Sequence, residues 1–543
     1  MGALELLEKG EVPSRSDLEL SLSTITPAQE NHSNKLHFVQ RSDVIPEYDV
    51  SKENITGYDA ELMRARASLT AAEEEKLLRR VDWRIVPLCA VMYAVKSIDA
   101  SNVSNARIMD RGTPHNIMTE LKMTADQYNL VTTMYYIPYI LAEVPSNLLL
   151  KKVRPSVWQA RIMISWGIVL LCHAAVTNRQ GLYAVRFFLG LFEAGLWPGM
   201  LLHLCYWYRP DEIAPRVVWV TLLGNFSPIV SGILAFAFNG ANKGLSAWKW
   251  LILTEGLFTI LLGLIVFFCL PDFPATAKWL SDKEKAFLQA RLPRNSPRAV
   301  EASFSMTEFL VSFKDIKIWL FLFCWAFYTV GTTGLQFYQP TVIANLGFTF
   351  VSSPLNIQLL NIPPAIFSCV LTIVFGIFAD TGKIPQPLIP LGFMIIIQAC
   401  YAVLYTFPST GGVYTATILA GGFSAAWYTM MWPWRVQTTS GATGSAFAIA
   451  FANSYGQIGG AVGSQLFNSR YAPRYATSFG IAMGFIGAAI VMNIVTWGFT
   501  WRVDVETRRL KRERIKAAKR GEAVLDDVDI SQLSTGREKR GAS

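Results

Sequence analysis

Charged residues are scarce in this sequence, and their scarcity excludes most soluble folds. Only 16% of the 543 residues are Asp, Glu, Lys or Arg, whereas 52% are hydrophobic. A soluble globular chain carries about a quarter charged residues. The apolar residues come in blocks of about 20, the length that crosses the hydrocarbon core of a bilayer. Composition therefore excludes a disordered chain, a coiled coil and a disulfide-stapled secreted domain, and it predicts an integral protein of the lipid bilayer.

Cysteine pairs and nucleotide-binding loops are also absent. The seven cysteines are scattered through the apolar blocks without a Cys-x-x-Cys pair, so we expect neither a metal site nor a redox centre. No Gly-x-x-x-x-Gly-Lys-Ser/Thr motif occurs, which leaves ATP-driven pumping without support. No nucleophile–base constellation is present either. The sequence therefore predicts a protein that is not an enzyme and that needs no cofactor.

The net charge is +9, and the basic residues lie at positions that are typical of membrane proteins. Basic residues crowd the ends of apolar blocks and the segment 502–543, which is the positive-inside pattern of cytoplasmic segments. Binding of anionic lipid headgroups by this segment is a compatible alternative. We expect no nucleic-acid partner.

Twelve apolar blocks follow residues 1–69, a polar and acidic segment for which a disordered cytoplasmic tail is expected. The blocks lie at 83–104, 124–149, 157–177, 180–208, 217–239, 248–270, 316–341, 356–379, 386–407, 413–436, 444–467 and 476–501. No apolar block precedes Trp83, so no signal peptide is expected. Capping boxes at Thr70/Glu73 and Ser281/Glu284 predict helices that begin there.

This arrangement predicts an all-α integral membrane fold of twelve transmembrane helices in two six-helix lobes. The N-terminal lobe spans 70–270, a cytoplasmic linker spans 271–315, and the C-terminal lobe spans 316–501. Residues 502–543 form a basic cytoplasmic tail. The even number of spans places both termini on the same side of the membrane.

Ionisable side chains within the spans are the first candidates for function, because each costs several kcal/mol in lipid unless it is paired or hydrated. Lys96 and Asp99 are three residues apart in span 1, near enough for an ion pair. Arg186 and Glu193 share a face of span 4, two turns apart. If both spans face one cavity, protonation of the carboxylates responds to an anionic ligand. The alternative is that these pairs only fix helix packing.

Further polar residues extend this predicted site. Glu143 and Glu255 are interpreted as gating or structural residues. The second half of the chain offers side chains that could complete a ligand site, with interhelical hydrogen bonding or an interfacial aromatic belt as the alternative. These side chains are Gln336, Trp427, Tyr428 and Asn453.

Several stretches between residues 80 and 505 resemble one known family. They are Ile98 to Ala106 (IDASNVSNA), Glu143 to Asn147 (EVPSN), Arg186 to Pro198 (RFFLGLFEAGLWP), Trp207 to Arg209 (WYR) and Trp248 to Trp250 (WKW). The chain resembles the anion:cation symporter family of the major facilitator superfamily, and within it the fungal allantoate/nicotinate-type permeases.

The resemblance implies proton-coupled uptake of a small organic anion by alternating access across the plasma membrane, by a monomer. Such an anion is a carboxylate, for example a vitamin or a nitrogen-source acid. The family assigns proton carriage to the positions of Asp99 and Glu193, and substrate contact to that of Arg186. It usually has Arg or Lys where this chain has Ala100. Lys96 lies on the same helical face one turn earlier, so we infer that the substrate-binding positive charge has moved there.

Two other functions remain open on the sequence. The same fold could export a fungal metabolite, and a chain with long tails could be a nutrient sensor that binds its ligand without transporting it. Accumulation of labelled substrate separates uptake from efflux, and a sensor would signal without flux.

Overall fold

The computed structural model describes residues 36–41, 65–150, 153–241, 244–293, 306–345, 362–438, 442–471 and 474–526. The chain divides into two compact units, Met1–Phe38 and Val39–Ser543. Of the first unit only residues 36–38 are described, and all helices named below belong to the second. Most of the predicted tail 1–69, residues 294–305 of the predicted linker and residues 527–543 lie outside the described residues.

Each predicted span of the first half coincides with a helix or with two consecutive helices. These are α1 (Ala71–Ile108), α2 (Ile117–Glu120), α3 (Ala125–Leu150), α4 (Pro155–Cys172), α5 (Arg179–Glu193), α6 (Leu196–Trp207), α7 (Ile213–Asn225), α8 (Ser227–Phe238) and α9 (Ala247–Cys269). Short 3-10 helices cover His173–Ala175 and Pro274–Thr276. The capping box of Thr70 and Glu73 is confirmed, and α1 runs from it through the predicted span without interruption.

The second half is built in the same way. Its helices are α10 (Asp282–Ala290), α11 (Met306–Lys314), α12 (Ile316–Asn345), α13 (Ile362–Asp380), α14 (Leu388–Thr406), α15 (Thr410–Val436), α16 (Ala442–Gly456), α17 (Ile458–Leu466) and α18 (Ala476–Lys519), with a 3-10 helix at Ser469–Tyr471. The capping box of Ser281 and Glu284 begins α10 as predicted. Strands β1 (Phe38–Gln40) and β2 (Glu522–Val524) form a two-stranded sheet.

Eight helical segments within the described ranges are long and apolar enough to cross a membrane. They are Pro155–Ala175, Arg179–Trp207, Ile213–Phe238, Ala247–Cys269, Ile316–Gln339, Ile362–Asp380, Leu388–Thr406 and Ala476–Lys519. The predicted spans 83–104, 124–149, 413–436 and 444–467 are helical but are not among them. Each of these four contributes polar side chains to an internal cavity described below.

The predicted span 180–208 is not one continuous helix, because it breaks directly after Glu193. Gly195 has a φ of +95°, a left-handed conformation that glycine adopts without steric cost. A Cβ at this position would lie 2.2 Å from Ser146 Oγ on α3. The break leaves the Glu193 carboxylate at the C-terminus of α5, where the helix dipole is negative and a nearby cation is favourable.

Helices from the two halves pack against one another as well as within each half. Within the halves, α4 packs on α9, α3 on α5, α12 on α18 and α13 on α15. Between the halves, α3 contacts α16 and α17, while α7 contacts α13 and α15. These inter-half contacts surround the site described below.

The last helix extends past the predicted boundary at residue 501, so part of the predicted basic tail is helical and packed. Its extension places Lys511 Nζ 2.6 Å from an Asp380 oxygen and an Arg514 nitrogen 3.0 Å from an Asp211 oxygen.

We call the end of the bundle with the start of α1 and the end of α18 the terminal end. The end that carries Asn129 is the opposite end.

Candidate functional site

A cavity of about 320 Å³ lies between the two halves of the bundle. The four charged residues that the sequence places in spans 1 and 4 all line it: Lys96 and Asp99 on α1, and Arg186 and Glu193 on α5. The second half contributes uncharged polar side chains to the same cavity. These include Gln336, Tyr428, Asn453 and Gln457.

Lys96 forms an ion pair with the Glu193 carboxylate. Its Nζ lies 3.3 Å from Glu193 Oε1, and it also donates a 2.9 Å hydrogen bond to the Tyr139 hydroxyl. The same ammonium lies 4.7 Å from the centroid of the Tyr139 ring, within cation–π range. The side chain of Glu193 is nearly buried, so this cation is its main electrostatic support.

Asp99 contacts side chains of two other helices, α5 and α4. An Arg186 nitrogen lies 3.8 Å from Asp99 Oδ1, and the Trp166 indole on α4 donates a 3.1 Å hydrogen bond to Asp99 Oδ2. Both Asp99 and Arg186 are buried. The 3.8 Å separation leaves Asp99 Oδ1 without a hydrogen bond among the described residues, so this pair is loose enough for a ligand to compete with it.

The pairing differs from the sequence-based prediction. Lys96 and Asp99 were expected to pair along α1, but each cation instead meets the carboxylate of the other helix. The physical reason is the break at Gly195, which ends α5 at Glu193 and turns its carboxylate toward α1. We call the two ion pairs Lys96–Glu193 and Asp99–Arg186 the crossed pairs.

Glu143 lies one helical turn beyond Tyr139 on α3 and belongs to the same network. The Tyr139 hydroxyl, which accepts from Lys96, donates a 3.2 Å hydrogen bond to Glu143 Oε1, and the Asn453 amide on α16 donates to the same oxygen. No Arg or Lys pairs with Glu143 among the described residues, and Lys151 and Lys152, which follow α3 in the sequence, lie outside them.

Two further predicted residues do not line the cavity. Trp427 is fully buried and stacks on Tyr328, with ring centroids 3.5 Å apart and an interplanar angle of 13°. Its face of α15 packs against α12 inside the second half, so Trp427 is not among the residues that line this cavity. Glu255 on α9 is buried behind the cavity lining, close enough to interact electrostatically with Asp99, and accepts a 2.7 Å hydrogen bond from Asn102 on α1, a contact that joins two helices.

Comparison with known proteins identifies the family. The model of the Major Facilitator Superfamily matches residues 112–464. The chain belongs to the Major Facilitator Superfamily. This result confirms the predicted all-α fold class, and the chain is a transporter of this superfamily.

Individual relatives agree with this assignment. The MFS transporter prlL of Fungal sp. (strain NRRL 50135) is 33% identical over 318 residues, which cover 58% of this chain and 63% of prlL. A putative tartrate transporter of Agrobacterium vitis is 31% identical over 317 residues, covering 57% of this chain and 69% of that protein. The crystal structure of the human organic anion transporter MFSD10 (TETRAN) shares the fold, with a TM-score of 0.54, 13% identity, and coverage of 76% of this chain and 99% of that one.

In this major facilitator transporter, the halves touch on both sides of the cavity. Toward the opposite end, the Tyr338 hydroxyl donates a 2.8 Å hydrogen bond to Asn129, and the Arg107 guanidinium lies 4.8 Å from the Tyr338 ring centroid. Toward the terminal end, Asn453 contacts Glu143, and the next residue, Ser454, donates to a backbone carbonyl of α3. The described conformation therefore has inter-half contacts on both sides of the site.

The terminal end of the transporter carries a cluster of arginines and carboxylates outside the spans. Arg291, which follows α10, lies 3.0 Å from Glu74 and also contacts Glu212, while Arg209 lies 2.6 Å from Glu212 and 3.6 Å from Glu74. Burial alone would raise the pKa of Glu74, but Arg209, Arg291 and Arg41 outweigh it and hold the pKa below its ordinary value. For Glu212 burial likewise raises the pKa, and Arg209 and Arg291 lower it further than burial raises it. The cluster ties the segment after α10 to the first half.

Several contributors to the transporter's site were not identified from the sequence, among them Tyr139 and Trp166. Tyr139 could have been found, because it lies four residues before Glu143 on the same helical face. Trp166 gave no such signal, since its contact with Asp99 joins α4 to α1 across 67 positions of sequence. Within the part of the chain that the structure describes, no group of three His, Cys, Asp or Glu residues is placed to hold a metal ion.

Proposed function

We propose that this transporter carries a small organic anion into the cell together with protons, by alternating access. The observation that carries the proposal is the crossed pairs, which place two cations and two carboxylates in one cavity between the halves. An incoming carboxylate competes with Asp99 and Glu193 for Arg186 and Lys96. A displaced carboxylate that loses its cation in a desolvated site gains affinity for a proton. Anion binding and proton binding therefore favour each other.

The relatives support the same class of substrate. One of them bears the name "Putative tartrate transporter", and tartrate is a small carboxylate. The cavity volume of about 320 Å³ suits a ligand of that size. Gln336, Tyr428 and Asn453 of the second half face this cavity and would contact the ligand's remaining polar groups.

The membrane arrangement is part of the proposal. Residues 70–270 and 316–501 act as the two lobes, 271–315 as the linker, and the terminal end faces the cytoplasm of a plasma-membrane monomer. The basic residues of the terminal end support this orientation. Epitope tags at both termini should be reachable by antibody only after the plasma membrane is permeabilised, and staining of intact cells would overturn the orientation.

The experiment for the function uses purified protein in liposomes with radiolabelled tartrate as the first probe, followed by other small carboxylic acids. An imposed pH gradient, acidic outside, should drive accumulation, and a protonophore should abolish it. Accumulation that does not depend on the pH gradient would contradict proton coupling. Binding without flux would favour the sensor, and net export from loaded cells would favour efflux.

A further inference from the structure

Glu143 is a carboxylate with no exposed surface (0%) in the span-forming part of α3. Its Oε1 accepts hydrogen bonds from Tyr139 and Asn453. Its Oε2 is buried and has no hydrogen-bond partner among the described residues. An ionised carboxylate with one unsolvated oxygen at membrane depth is strongly unfavourable, whereas a protonated one leaves no charge to solvate.

The charged groups around Glu143 do not neutralise it. Lys96 of α1 and Glu193 of α5 act on it electrostatically with opposite signs, and these two already form an ion pair with each other. The tyrosines that face it from its own helix, Tyr136 and Tyr139, are neutral donors or acceptors. The described residues contain no cation within salt-bridge distance of Glu143.

Helix α16 of the second half covers Glu143. The Asn453 amide donates a hydrogen bond to Glu143 Oε1, and the neighbouring Ser454 hydroxyl donates to the Ile140 carbonyl of α3. One turn beyond Glu143, an apolar cluster that includes Phe447 and Phe451 packs against Val144 and Leu148 of α3. Because α16 and α3 belong to different halves, this cover exists only while the halves meet toward the terminal end.

We propose that Glu143 is a proton site controlled by α16: it holds a proton on Oε2 while α16 is packed on α3, and it gives that proton to water when the two helices separate. The step converts a carboxylic acid and a water molecule into a carboxylate and a hydronium ion, without a bond to the substrate. It rests on the proposed proton coupling and adds to it a second step on the terminal side. Tyr139 links this step to the crossed pairs, since its hydroxyl bonds both Lys96 and Glu143.

Infrared spectroscopy of the full-length chain in lipid nanodiscs tests this site without any substrate. A protonated carboxyl has a C=O stretching band that an ionised one lacks. Glu143→Gln should remove one such band at neutral pH. Glu255 is the matched reference site, because it is also buried with one oxygen that has no partner among the described residues, but it is bonded to α1 rather than to α16. Glu255→Gln identifies the band of that carboxyl, which the substitutions at Ser454 should leave unchanged. An unchanged carboxylic-acid region in Glu143→Gln would overturn the proposal.

Two substitutions at Ser454 test the control by α16. Ser454→Trp should wedge α16 away from α3 and abolish the Glu143 band, whereas Ser454→Ala removes one hydroxyl and should preserve it. Hydrogen exchange of α16 should become faster in the Trp variant only. If exchange is faster and the band persists, α16 does not control the proton. Because no substrate is present, this result is independent of whether tartrate or another anion is transported.

Discussion

The Lys96 ammonium lies 3.3 Å from the Glu193 carboxylate on a neighbouring helix, although Asp99 is three residues away on its own helix. Asp99 in turn pairs with Arg186, so the cation of each helix neutralises the carboxylate of the other. A shift of α1 along α5 would stretch both pairs together. The charge state of the cavity and the relative position of these two helices are therefore linked.

Glu193→Gln should abolish accumulation driven by a pH gradient and leave exchange of labelled for unlabelled substrate largely intact. The amide keeps the size and hydrogen bonds of the carboxyl but cannot take up a proton. Both activities are measured in the same liposomes, and Glu75→Gln, at an exposed position of α1 far from the cavity charges, serves as the control. Accumulation at the wild-type level in Glu193→Gln would contradict its role in coupling.

Arg186→Lys should weaken anion binding by about 1–3 kcal/mol, the usual worth of a hydrogen bond to a charged group. A guanidinium binds a carboxylate through two parallel hydrogen bonds, which an ammonium cannot reproduce. Equilibrium binding of a transported acid to the purified protein gives the affinity. Equal affinity in the two proteins would leave Arg186 with a structural role only, as the partner of Asp99.

Lys96→Ala should reduce uptake about tenfold or more, because the buried Glu193 loses its cation. Ala100 lines the same cavity one turn later, about 5.4 Å along the helix axis. Adding Ala100→Arg to Lys96→Ala should therefore restore a measurable part of the uptake. Initial uptake rates of the single and the double variant test this prediction. Normal uptake by Lys96→Ala alone would rule out the inferred movement of the cation.

Arg291→Gln should lower the melting temperature at neutral pH, by about 2 °C or more. Glu74 and Glu212 have pKa values held below their ordinary range by neighbouring arginines. Such groups contribute stability above the ordinary glutamate pKa of about 4.3 and lose it as the pH falls. The gap between variant and wild type should thus shrink in acid. Arg79→Gln, which removes an exposed pair with Glu75, is the control that should change little.

Gly195→Ala should destabilise the protein by about 1 kcal/mol or more, because the left-handed backbone at this position is unfavourable for alanine. The added Cβ would also meet Ser146 Oγ at 2.2 Å, which forces the side chain or α5 to move. Thermal unfolding in detergent measures the loss. Gly240, which has a similar φ of +79° but no atom within 4 Å of a Cβ, is the matched site that isolates the backbone contribution.

The sequence predicted the elements of this fold better than the partners within its site. Apolar blocks and capping boxes are local signals, so the helices within the blocks and the starts of α1 and α10 were found. The extension of α18 was missed because a basic segment without apolar periodicity is read as a tail, whereas Asp211, before α7, and Asp380, at the end of α13, pair with its cations from distant parts of the sequence. The four cavity charges were identified from their depth in the spans.

Their pairing could not be predicted, for a reason specific to α5. Spacing along one helix suggests partners within that helix, and it favoured Lys96 with Asp99. The break at Gly195 redirects Glu193 toward α1, and Ser146 of a third helix leaves no room for a Cβ at this position. The orientation of Trp427 could not be predicted for a similar reason, because only the packing of α15 on α12 decides which of two adjacent aromatic residues faces the cavity.

The four charges of the crossed pairs sum to zero, and this balance decides how the membrane voltage acts on the loaded protein. A singly charged anion that arrives with one proton keeps the sum at zero, so the voltage performs no work on its passage. A doubly charged anion with one proton would carry a net negative charge inward. Against an interior-negative potential this costs about 2.3 kcal/mol for each 100 mV. An energised membrane would then favour monoanions over dianions of equal affinity.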